Sequence, residues 1–177
     1  MMQTDVNKEV NKEYETMNEK GETAMENKIL NEIKEIMEEN EWKYHCEEEE
    51  GRLGAGFVNS LLMFEVSEDM VECYTLYYEK VPAEHRAEVL ESMTSVNVIG
   101  KEGHFEMDQE GHVKFRIRRG VQRGELPSKE DIESMMGRVI HTEYVMISGL
   151  FQVARGETEI KSALFGAMMK YMERKLA

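Results

Sequence analysis

The chain has 177 residues, 41% of them hydrophobic, which suits one domain with an ordinary core. No apolar run approaches the ~20 residues a membrane-spanning helix needs, so no membrane partner is expected. The net charge of −14 is concentrated at the front, with sixteen acids against six bases in residues 1–50. A body this acidic is repelled by phosphate backbones, which argues against nucleic-acid binding.

Residues 1–25 are polar and read as an acidic N-terminal extension, frayed or partly helical through Val6, Val10, Tyr14 and Met17. They show neither the basic start nor the hydrophobic stretch of a signal peptide, and a cytoplasmic location is the simplest expectation. Residues 26–177 read as a single domain. Its first helix is predicted over residues 26–40, with Ile29, Ile33, Ile36 and Met37 along one face.

Trp42, Tyr44 and Cys46 then alternate with Lys43, His45 and Glu47, the period of a strand. Gly51, Gly54 and Gly56 are expected to form a flexible turn; they lack the order of a nucleotide-binding loop. Residues 57–66 and 71–78 read as a hairpin turning at residues 67–70. Leu61, Leu62, Met63 and Phe64 are apolar in succession, the mark of a central strand covered on both faces. That cover must come from the chain's own helices or from a second subunit.

Val81-Pro82 opens the next helix, where Ala83, Ala87, Leu90, Met93 and Asn97 recur at helical spacing. A second hairpin follows from Gly103 to Arg118. A three-residue loop of Gln109, Glu110 and Gly111, with Gly111 left-handed, sets its register. Met107 then faces Val113 and Phe105 faces Phe115 on an apolar side. Glu106 faces Lys114 and His104 faces Arg116 on a charged side. Ser128 and Asp131 approximate a capping box for a long helix marked by Ile132, Met136, Val139, Glu143, Ile147, Leu150 and Ala154, with Gly156 as its C-terminal cap. A last helix carries Ile160, Leu164, Met168, Tyr171 and Met172.

The fold class is therefore α+β, an antiparallel sheet of about five strands with flanking helices in the order α-β-β-β-α-β-β-α-α. Several stretches resemble a bacterial family, the YbjN-like proteins, also described as proposed sensory transduction regulators. They are Trp42 at the head of the sheet, Val81-Pro82 before a helix ending near Asn97-Val98-Ile99-Gly100, residues 103–108 and 113–116, and Leu126-Pro127 before the long helix. The resemblance spans roughly Ile29 to Gly156. It implies the fold of type III secretion chaperones, α+β proteins that often dimerise and bind other proteins. It carries no catalytic residues, and the acidic N-terminus and Met-rich last helix depart from its pattern.

Candidate chemistry is sparse. Five histidines show no metal-type spacing, and the Glu47–Glu50 run lacks the staggered ligands and glycine of a calcium loop. No GxSxG and no carboxylate pair with an evident acid–base setting occurs. We expect no enzyme, no cofactor and no metal. Cys46 and Cys73 are expected to be buried, reduced thiols.

The basic stretch Lys114, Arg116, Arg118, Arg119 and Arg123 is unusual, since no acid lies between Gly111 and Gly124. Either these cations balance Glu106 and other acids across the sheet, or Arg119 and Arg123 contact an acidic segment or anionic ligand. Met168, Met169 and Met172 span a wide arc of the last helix. They either fill core or meet a partner through adaptable thioether contacts. The expected function is a non-enzymatic protein-binding module, chaperone-like or regulatory, acting through its sheet surface and flanking helices as a homodimer. The alternative is a regulatory module sensing a small anionic ligand at the basic strand face.

Overall fold

A computed structural model describes residues 28–99, 103–121, 126–142 and 146–157. Residues 28–39 form α1, whose apolar stripe Ile29, Leu30, Ile33, Ile36 and Met37 is buried as the spacing predicts. Four strands follow: β1 Tyr44–Glu47, β2 Arg52–Gly56, β3 Ser60–Ser67 and β4 Met70–Lys80. After Pro82 a short 3-10 turn leads into α2, Arg86–Ile99. Then come β5 His104–Met107, β6 His112–Gly120, α3 Lys129–Thr142 and α4 Ser148–Ala154.

The six strands form one sheet in the order β1-β2-β3-β4-β6-β5, every neighbouring pair antiparallel. The α+β class stands, with one strand more than expected. The addition is β2, drawn from the glycine segment read as a flexible turn. Only Gly51 turns there: at φ +63° it closes the Glu48–Glu50 3-10 turn, and a Cβ would meet the Val66 carbonyl oxygen at 2.3 Å. Gly54 and Gly56 lie within β2, opposite Met63 and Leu61. The apolar partners Leu53 and Ala55 bury one side of this strand, and the glycines leave the other side low.

Helices of the described residues pack on one side of the sheet. The core joins Leu53, Leu62, Phe64, Cys73, Phe105, Val113 and Phe115 from the strands to buried residues of α1, α2, α3 and α4. In α2 the buried side is Val89, Met93 and Val96, whereas Ala83, Ala87 and Leu90 are exposed. The expected stripe is thus rotated, because this helix is apolar nearly all round and periodicity alone does not choose its inner face. The Ser128–Asp131 box forms as predicted, with each backbone N–H donating 3.2 Å to the other's side chain. Gly156, at φ +67°, ends α4 and donates to the Val153 carbonyl at 2.9 Å.

The second hairpin has the predicted register residue for residue. Asp108 N–H donates to the His112 carbonyl, and Gly111 turns at φ +94°. Asp108 organises the loop by accepting from the backbone N–H of Glu110 and His112 and from the His112 ring at 2.8 Å. Desolvation opposes ionisation, but these bonds outweigh it and hold the Asp108 carboxyl at about 2. A carboxyl depressed from about 3.9 contributes stability above that value, lost as pH falls toward 2. Melting temperature followed from pH 5 to pH 2 is therefore expected to fall less steeply for Asp108→Asn than for the parent. Parallel profiles would refute this role.

Candidate functional site

The other side of the sheet is where unexpected chemistry gathers. Alternation sends Leu61, Met63 and Glu65 of β3 to the side opposite Leu62, Phe64 and Val66. Their cross-strand partners on β4 are Leu76, Tyr74 and Glu72, and β6 adds Lys114, Arg116 and Arg118. Leu61, Met63, Met70 and Leu76 are half-buried and lie outside the helix-side core. The Met63 thioether lies over Gly54, where a Cβ would stand 2.6 Å from its sulfur. Tyr78, 54% exposed, brings its hydroxyl beside Gly56.

At the centre of this face Glu72 is only 3% exposed and Arg116 only 8%. Arg116 Nε lies 3.0 Å from Glu72 Oε1, and its Nη2 donates to Glu106 Oε2 at 2.8 Å. Arg118 Nε donates to Glu72 Oε2 at 2.6 Å. Lys114 and Arg116 both lie over the Tyr74 ring, at 5.5 and 5.9 Å from its centre. Burial first, then donation to Glu65 at 2.8 Å, pushes the Tyr74 phenol up. Burial opposes ionisation of Glu106, yet hydrogen bonds from His104 and Lys114 keep its carboxyl below the usual range. The network spans four strands and is a nearly charge-balanced platform.

A shallow pocket of about 330 Å³ opens at one end of this face, lined by Glu50, Arg52, Glu65, Val66, Ser67 and Met70. Arg52 is held there by Glu47 and Glu50. Ser67 of this lining donates to the exposed Asp69 carboxylate of the same turn at 3.2 Å. Among the described residues no cluster of three His, Cys, Asp or Glu side chains is placed to hold a metal ion. Cys73 is buried and Cys46 half-buried, and desolvation pushes both thiols up.

The basic residues singled out by sequence have different fates. Lys114, Arg116 and Arg118 are brought together on the platform and are paired with carboxylates. Arg119 is placed elsewhere: its Nη1 pairs with Asp131 at the start of α3, 2.7 Å away. Arg123, Met168, Met169 and Met172 lie outside the described residues, as does the acidic extension. Sequence reading missed Glu72 and Tyr74. The available signal was a lone acid between Val71 and Cys73 on a strand that pairs with the basic one.

No protein-family model matches this chain, and no curated protein matches it. Among solved structures it is similar to the crystal structure of YbjN from E. coli, a proposed transcription regulator, at 9% identity. The match has a TM-score of 0.49 and covers 72% of this chain and 92% of that one. In the described residues no helix is long and apolar enough to cross a membrane.

Proposed function

We propose that this chain is a non-enzymatic protein-binding module, working as a homodimer and receiving a partner on the face of its sheet opposite the described helices. The observation that supports this reading is the distribution of helices. All those in the described core pack on one side, while Leu61, Met63, Met70, Leu76 and Tyr78 ring a polar centre on the other. Apolar groups around a few oriented charges are what a protein interface needs: the former supply area, the latter register. The alternative, an anionic ligand on the basic strand, has less support because Lys114, Arg116 and Arg118 already face Glu72 and Glu106.

The reading is tested with Leu61→Asp and Leu76→Asp in one chain. Both side chains point away from the core, so the circular dichroism spectrum and melting cooperativity should be retained. Proteins that co-purify with the parent should be lost. Retention of the same proteins by a folded double variant would remove the open face from the account.

A further inference from the structure

The two edges of the sheet are finished differently. At β5 the Asn97 side chain of α2 stands in for a neighbouring strand. Phe105 N–H donates to its Oδ1 at 2.7 Å, and its amide group donates to the Phe105 carbonyl at 3.0 Å. That edge is capped at Phe105. At β1 the only ladder is with β2, and the outward backbone groups of Tyr44–Glu47 have no hydrogen-bond partner among the described residues. The strand is two-sided: Tyr44 and Cys46 are half-buried against the core, and His45, Glu47 and the preceding Lys43 are exposed.

We infer that a second copy of this chain pairs antiparallel with β1, joining the two sheets edge to edge through a two-fold axis at His45. The register follows from chemistry. Self-pairing must keep the apolar side on the apolar side, which restricts the shift to steps of two residues. Centring on His45 places Lys43 opposite the partner's Glu47, twice by symmetry, and Tyr44 opposite the partner's Cys46. Centring on Cys46 instead sets Tyr44 against the partner's Glu48, and centring on Tyr44 leaves Lys43 facing the partner's His45. The His45 register gives opposite charges on one side and an apolar pair on the other while leaving the Glu48–Glu50 turn out of the ladder. Backbone bonds along the edge supply affinity, and the charges select the register. The inference rests on the homodimer reading above and names its surface.

Sedimentation of the full chain at micromolar concentration should show a dimer. His45→Cys, made together with Cys46→Ala, should form a disulfide-linked dimer on mild oxidation, because directly opposed strand residues bring their Cβ atoms to about 5 Å. Lys43→Glu and Glu47→Lys should each weaken the dimer about tenfold, and an equal mixture of the two single variants should restore it. A dimer that neither crosslinks through the thiol introduced by His45→Cys nor responds to these charges would overturn the β1 edge while leaving dimerisation intact. A monomeric parent chain would overturn both.

Discussion

Replacing Glu72 with Leu should lower the melting temperature of this protein by roughly 10 °C, from a loss of about 3 kcal/mol. The carboxylate is buried and is shared by Arg116 and Arg118. Without it, Arg118 turns to solvent at little cost, because its side chain is already 48% exposed. Arg116 is buried and keeps only Glu106, so its guanidinium bears the penalty. The estimate therefore lies at the low end of what breaking a buried ion pair costs, about 3–5 kcal/mol. Arg116→Met alone should cost less, since Glu72 keeps Arg118. Combining the two substitutions should recover most of the stability lost in Glu72→Leu, the non-additivity of a true pair. A double variant as unstable as the sum of the singles would show that packing, not charge pairing, holds these residues.

Gly111→Ala should be as damaging, by about 3 kcal/mol, for a backbone reason. At φ +94° an L-residue is strained, and a Cβ would stand 2.5 Å from the Val81 carbonyl oxygen. That oxygen has little freedom to retreat. Val81 N–H donates to the Gly111 carbonyl at 2.8 Å, and Arg86 binds the Val81, Gln109 and Glu110 carbonyls together. The hairpin loop and the start of α2 are thus one clamp, and a methyl group inserted there must distort both. Gly137→Ala is the control: nothing lies within 4 Å of that Cβ on the exposed face of α3, so a gain of about 0.5–1 kcal/mol is expected. Chemical denaturation of the two variants should move the midpoint in opposite directions. Equal effects would refute the clamp.

Much of this architecture is legible in the sequence wherever local rules act alone. The 103–118 hairpin is readable because loop length, a left-handed glycine and strict alternation all specify one register. The Ser128–Asp131 box and the Gly156 cap are readable for the same reason. β2 is not, because three glycines in six residues mask a strand whose alternation is carried by Leu53 and Ala55 alone. The inner face of α2 is not, because the helix is apolar on more than one side. The charged platform is illegible for a third reason. Glu72 meets Arg116 and Arg118 more than forty positions later, and only the β4–β6 pairing brings them together. The basic stretch and Glu106 are visible in the sequence and Glu72 is not, so a ligand site and a structural network look alike there.

The central claim is that the face of the sheet opposite the described helices receives another protein. Oxidative footprinting of Met63, Met70 and Tyr78 measures it directly, comparing the purified chain with the same chain in its native cell extract and using fully buried Met37 as the internal standard. We expect these three residues to be labelled in the purified chain and protected in the extract, with Met37 unreactive in both. Equal labelling of the three in both conditions would contradict the claim.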